Sequence, residues 1–305
     1  MPVSVTVVGL GCELDRLFSG QRPALPVPAP PGRDDLRDLF EAVGGPLRGG
    51  ERVIVVVGDW LPAETLERVH TVRSLLQTDR VAIHVTELPP LAASVQAALG
   101  AALASHAPSA GALAAALGAV EDQLLVLAWV GSVAGLRHPA VSLLHHARSA
   151  LPWSSFGVGL QPEAFLQPLA RGSEDLPLEP PEEPIELLVA PSESADLDWI
   201  VEDVVPALGG VPVRQIPATL HGPAWWGTSR LVEGVGVPTD LGALADSVLP
   251  HHVVPCRWCG EPIAAPPCPF CGDAGSSGAP PHTQHRSPVG TLAKGESAEQ
   301  HKPGD

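Results

Sequence analysis

Lysine is almost missing from this 305-residue chain: Lys294 and Lys302, both near the end, are the only two. A Schiff-base or P-loop lysine is therefore excluded from everything before them. Basic residues are few altogether, 18 Lys and Arg against 34 Asp and Glu, for a net charge of −16. That balance disfavours a nucleic-acid partner, which needs a basic face on the protein. No apolar run is long enough to span a bilayer, since Ala110–Val120 meets Glu121 and Asp122 and Leu124–Leu136 is too short. No charged segment followed by a leader-length apolar run opens the chain, so the expected compartment is the cytoplasm, with no membrane association. Catalytic signatures are also lacking. There is no GxSxG elbow, no HExxH and no DxD cluster near a strand end. Cys12 is the one cysteine outside a pair of clustered motifs, with no histidine set beside it, and reads as inert packing.

What is present begins with composition. At 45% hydrophobic and 17% charged, the chain can bury a substantial core. Short β-branched runs alternate with helical stretches. Strands are predicted at Val3–Val8, Arg52–Val57, Arg80–Val85, Gln123–Val130, Ser155–Leu160, Ile185–Ala190 and Val211–Ile216. Several are continuously apolar, the pattern of strands covered on both faces. Helices are predicted at Pro62–Gln77, Leu91–His106, Gly111–Val120, Pro139–Leu151 and Ser194–Leu208. The small side chains of Leu91–Val120 suit close packing on a sheet or a homo-oligomer contact. The alternation predicts an α/β fold with a Rossmann-like, doubly wound, mostly parallel sheet.

The expected organisation is an α/β domain over residues 1–170 and an acidic, Pro-rich linker or loop over 171–184. A βαβ extension or second small unit follows at 185–250, then a metal module at 251–274 and a disordered tail at 275–305. Arg22–Arg33, with five prolines, is expected as an extended loop.

Two matched units carry the clearest chemistry: Cys256-Arg-Trp-Cys259-Gly260 and Cys268-Pro-Phe-Cys271-Gly272. This spacing brings four thiolates to one ion, and four sulfurs close a tetrahedral, structural Zn²⁺ site with no position left for a reactive water. The pair resembles a small zinc ribbon over about residues 254–274. Its eight-residue spacer leaves too little core to fold without metal. His251 and His252 precede it, but four thiolates already fill the coordination sphere. Trp258 and Phe270 hold equivalent places in the two knuckles and are candidates for shielding the metal or for facing a partner, one in each role.

In a doubly wound sheet ligands bind beyond the carboxyl ends of the strands. The candidates there are Gly9 and Gly11 after the first strand, Asp59 after the second, and Gly131, Ser132, Arg137 and His138 after the fourth. Gly9-Leu-Gly11 starts a GxGxxG pattern whose third glycine is replaced by Leu14. The opening VTVVGLG is similar to the start of tetrapyrrole methylases, but the Pro-Gly-Asp stretch that follows there is missing, and no property of that family carries over. Asp59 reads as a base, a metal ligand or a cap of the next helix. Trp225 and Trp226 form the other distinctive stretch, suited to covering a pocket, anchoring an interface or packing on the core.

These features favour a non-catalytic adaptor that docks a protein partner through the zinc ribbon and the Trp225–Trp226 loop. The alternative is a small-molecule enzyme or nucleotide-type ligand sensor that uses the strand-end crevice.

Overall fold

The computed structural model describes residues 4–275, except 22, 28–33, 150, 152, 153, 170–175 and 194. The expected tail, beyond Gly275, and the first part of the expected linker lie outside the described residues.

The first half is a parallel α/β unit. Strand β1 (Val5–Leu10) is followed by β2 (Leu25–Val27), α1 (Asp34–Arg48), β3 (Arg52–Gly58), α2 (Ala63–Leu75) and β4 (Val81–Thr86). The four strands pair in the order β2-β1-β3-β4, all parallel. Alternate residues serve opposite faces, as the period of a strand requires. Val8, Val53, Val55 and Val57 meet α1 and α2, while Val5, Val7, Ile54 and Val56 face the centre of the molecule. Part of the expected Pro-rich loop is thus strand β2.

Helix α3 (Pro90–Leu103) occupies that centre, and all fourteen of its residues are buried. A helix that is buried on every side, and apolar but for Ser94 and Gln96, is a core helix. Its alanines and Gly100 let α4 (Ala110–Glu121) approach closely, with Leu117 against Gly100. The small side chains therefore serve packing inside this chain, and α3 presents no face for another subunit.

Beyond α3 lies a second sheet. It comprises β5 (Leu125–Val130), β6 (Phe156–Gln161), β7 (Phe165–Pro168), β8 (Ile185–Pro191), β9 (Val213–Gln215) and β10 (Leu231–Pro238), in the order β7-β6-β5-β10-β8-β9. Every pairing is antiparallel except β8 with β9. Leu188, Ala190, Val126 and Val235 face α3. Leu187, Val189, Leu127 and Val232 face the outer cover, a π-helical turn at Ile200–Val204 that continues into α6 (Val205–Ala207). Short helix α5 (Leu143–Ser149) has no buried residue. Helix α7 (Gly222–Trp226) precedes β10, and α8 (Leu241–Val248) follows it. Strands β11 (Val254–Pro255) and β12 (Pro262–Ile263) form a two-stranded ladder within the cysteine module.

The α/β class holds, with parallel strands and flanking helices. The single doubly wound sheet becomes two sheets separated by α3. The physical reason is β10. All eight of its residues are buried at the middle of the second sheet, yet Glu233, Gly234 and Gly236 interrupt its apolar run and hide it from a propensity reading. The glycines are needed there because Leu127 crowds Gly234, and Leu125 and Ile185 crowd Gly236. Strands β8, β9 and β10, from the segment expected as an extension or second unit, complete the same sheet as β5, β6 and β7. No helix among the described residues is long and apolar enough to cross a membrane.

Candidate functional site

Beyond the carboxyl ends of β3 and β4 lies a cleft of about 540 Å³. Its floor comes from the first sheet: Asp59 and Trp60 follow β3, and Glu87, Leu88 and Pro89 follow β4. Glu121, the last residue of α4, forms one side. The second sheet supplies Val126, Leu160 and Gln161, and α7 with its preceding turn supplies His221, Ala224 and Trp225. Arg137 and His138 stand exposed at the rim. The volume falls within the usual range for small-molecule sites.

The walls are held firmly. Trp60 donates its indole N–H to the Leu88 carbonyl (2.9 Å), and its ring lies 5.0 Å from that of His221. Trp225 packs edge-on against Trp226, centroids 4.6 Å apart. Trp226 is fully buried and donates to Glu233 Oε1 (3.1 Å). The backbone N–H of Leu91, at the start of α3, also donates to Glu233 Oε1 (3.3 Å), and Thr219 donates to Oε2. One buried carboxylate therefore ties α3, α7 and the turn before α7 to β10. Burial raises the Glu233 carboxyl above its ordinary value, against the opposing effect of these hydrogen bonds.

Glu121 is the opposite case. Burial acts to raise its carboxyl too, but hydrogen bonds from His84, Gln96 (2.7 Å) and Thr86 (2.9 Å) together outweigh it and hold the group below its ordinary value. It faces the cleft as a carboxylate. Burial lowers the His221 imidazole, partly offset by the charge of Glu13, so the ring is neutral at neutral pH. Two lining residues carry buried polar atoms with no protein partner, Gln161 Oε1 and His221 Nε2. Such atoms carry an energetic cost unless a bound group satisfies them, and they mark where the polar end of a ligand would sit.

Of the residues singled out in the sequence, Asp59, Arg137, His138 and Trp225 come together in this cleft. Asp59 does not cap the following helix, whose N-cap is Pro62 with no side-chain hydrogen bond. Gly9 and Gly11 do not line the cleft. Gly9 packs against Cys12 and Ala97, and Gly11 turns the chain with its N–H on the Val27 carbonyl (2.9 Å). Gly131 packs on Arg230, and the Ser132 hydroxyl is engaged by Ser149 (2.8 Å). Cys12 is sealed in the core, where burial pushes its thiol up to about 12, so it is no nucleophile. Trp60, Glu87, Glu121, Gln161 and His221 were not singled out by position. Trp60 adjoins Asp59 and His221 opens the Trp225–Trp226 stretch, so a weak local signal existed for those two.

The four cysteines Cys256, Cys259, Cys268 and Cys271 converge, their sulfurs all within 4.8 Å of one another. Phe270 is fully buried, at 0% exposure, while Trp258 is 71% exposed. Cys256, Cys268 and Phe270 belong to the same apolar core as α3 and α4. The module is thus packed into the body of the protein.

No protein-family model matches the chain, and no curated protein matches it. Solved structures do. A DegV family protein from Corynebacterium glutamicum superposes with a TM-score of 0.54 at 12% identity, over 78% of this chain and 98% of that one. The fold is that of the DegV proteins. A stearic acid-binding protein from Eubacterium ventriosum gives 0.53 at 11% identity, over 78% of this chain and 99% of its own. A Thermus thermophilus DegV family protein, described for its fatty acid binding, gives 0.52 at 12% identity, over 77% and 100%.

These likenesses correct the adaptor reading. Through most of its length this chain has the fold of DegV proteins, among them proteins described as fatty-acid binders. Of the expected docking elements, Trp226 and Phe270 are buried and Trp225 lines the cleft, which leaves Trp258 as the exposed one.

Proposed function

We propose that this chain binds a long-chain fatty acid, or another single-chain amphiphile with a small polar head, in the cleft between its two sheets. The observation that carries the reading is the placement of that cleft on a fold shared with the stearic acid-binding protein. The wall chemistry supports it. Trp60, Leu88, Val126, Leu160 and Trp225 offer apolar surface to an acyl chain. Gln161 Oε1 and His221 Nε2 offer unsatisfied polar atoms to a head group, and Arg137 at the rim offers a cation to a carboxylate. Asp59, Glu87 and Glu121 repel an anion, which directs a carboxylate toward Arg137 and away from the β3 and β4 ends. The cytoplasm is the compartment that fits, because none of the five cysteines is joined in a disulfide.

The test is a chain-length series. Each buried methylene contributes about 0.8 kcal/mol, so affinity should rise about fourfold per methylene until the cleft is full. Displacement of a fluorescent fatty acid by saturated acids of increasing length measures this. Ala224→Trp, which places an indole in the cleft from an exposed position, should abolish the trend without unfolding the protein. Affinity that ignores chain length would overturn the reading. So would organic extracts of the purified protein that hold no acyl chain.

A further inference from the structure

We propose that Cys256, Cys259, Cys268 and Cys271 hold one structural Zn²⁺, and that the metal module is an internal clamp on the first turn of α4. The proposal does not depend on what the cleft binds.

The metal geometry comes first. Zinc–thiolate bonds of 2.3 Å define a tetrahedron whose sulfur–sulfur edge is about 3.8 Å. Cys256 and Cys271 sulfurs lie 3.5 Å apart, and those of Cys259 and Cys268 lie 3.6 Å apart. These separations are far beyond a disulfide bond and close to the tetrahedral edge. The backbone around them is duplicated. Gly260 donates to the Cys256 carbonyl and Gly272 to the Cys268 carbonyl, both at 2.9 Å. The Cys256 N–H donates to the Glu261 carbonyl (2.8 Å), and the Cys268 N–H to the Asp273 carbonyl (2.9 Å). Gly260 and Gly272 take φ of 75° and 78°, which a side chain would disfavour. Two equivalent knuckles thus present two sulfurs each to one point. Four soft sulfur ligands in this geometry suit zinc, and the closed sphere assigns it a structural role.

The clamp follows from what surrounds the knuckles. Glu261, immediately after the first one, is buried, and its Oε1 accepts from the Gly111 N–H (3.2 Å) in the first turn of α4. A carboxylate there satisfies a free amide and complements the helix dipole. Its other oxygen pairs with Arg52 at the start of β3. Ser109, the N-cap of α4, accepts from Ala112 (3.0 Å) and donates to the Pro262 carbonyl (2.7 Å) of the module. Arg73 of α2 donates to the Phe270 carbonyl from the other side. The module itself has only the short β11–β12 ladder, too little to hold this shape unaided. The metal must supply the folding free energy, and the contacts at Glu261, Pro262 and Phe270 then pass it to α4, β3 and α2.

The experiment uses the full-length chain. Metal analysis should give a zinc-to-chain ratio of about one. Replacing zinc with Co²⁺ should produce the intense visible bands and thiolate charge-transfer absorption of a tetrahedral four-sulfur site, lost again on adding one equivalent of zinc. Titration with a mercurial should release one metal ion as four thiols react, leaving buried Cys12 aside. A ratio far below one after reconstitution overturns the site, and iron in place of zinc overturns the metal assigned. Cysteine variants can fail to fold, so the clamp is tested on the wild-type chain by hydrogen exchange with and without a chelator. Metal removal should accelerate exchange at Ala112, Leu113 and the knuckle amides while β10 stays protected. Stripping the metal with no change at the start of α4 overturns the clamp.

Discussion

The two ends of helix α4 do different work. At its first turn the helix is sealed: Gly111 lies against the backbone of Pro262, Ser109 is bonded on both sides, and Glu261 is buried over the free amides. At its last residue the helix is open: Glu121 faces the cleft, with His84, Gln96 and Thr86 holding its carboxylate. Both ends carry a carboxylate, yet one serves cohesion and the other lines a space. The sealed end is assembled from residues adjacent in the chain at Cys256–Cys271, while the open end draws on seven separate segments. The difference implies that the ends should respond to different perturbations.

The largest effect is expected at the sealed end. Glu261→Ala removes the acceptor of the Gly111 amide and the carboxylate partner of Arg52, which keeps only its stacking over the Phe270 ring. Arg52 keeps about a third of its side chain exposed, so the loss should be about 2–4 kcal/mol, between a screened and a buried broken pair. Urea unfolding measures it. The chain-length dependence of ligand binding should survive under conditions where the variant is folded. If binding collapses in step with stability, the two ends are not separable. Gly111→Ala is the milder version. A methyl there would meet the Pro262 carbonyl well inside contact distance, for an expected loss of about 1–3 kcal/mol.

This contrast also explains what was legible in the sequence. The CxxCG units are local, so spacing alone brings their sulfurs together, and the α/β alternation is local too. What those units do for the molecule depends on Phe270 and Glu261 meeting α2, α4 and β3, and no local pattern records such meetings. The cleft suffers more. Asp59, Arg137, His138 and Trp225 could be named from their places near strand ends or in a glycine-rich stretch. Glu121 stood out only as a charge ending an apolar run, and nothing local marked Gln161. Their convergence depends on the second sheet turning antiparallel around β10, the strand whose Glu233 and glycines disguise it.

Glu233 and Glu121 offer a third contrast, read by pH. The folded-state carboxyl of Glu233 is raised, so its stabilising contribution is complete below the ordinary value of 4.5 and is lost as pH rises through the raised value. Glu121 is lowered, so its contribution is complete above 4.5 and is lost as pH falls through the depressed value. Glu233→Gln removes the first dependence. Its amide oxygen can still accept from Leu91 and Trp226, and the variant should lose less stability than wild type as pH rises above 4.5. Thermal melts across that range read the difference in slope, and parallel curves for the two proteins would show that Glu233 does not titrate there. Glu121→Gln should instead flatten the acid limb below 4.5.

The smallest effect is expected at the rim. Arg137 is exposed, so its attraction for a ligand carboxylate is screened by water and salt. Arg137→Ala should weaken fatty-acid binding only about two- to fivefold, the worth of an exposed ion pair, and leave stability within about 0.5 kcal/mol. The loss should shrink as salt is raised, and it should vanish for a fatty alcohol of the same chain length, which carries no charge. Titrations of acid and alcohol at two ionic strengths separate these cases. Equal losses for acid and alcohol would mean that Arg137 shapes the rim without reading charge, and would place the head group at Gln161 and His221, deeper in the cleft.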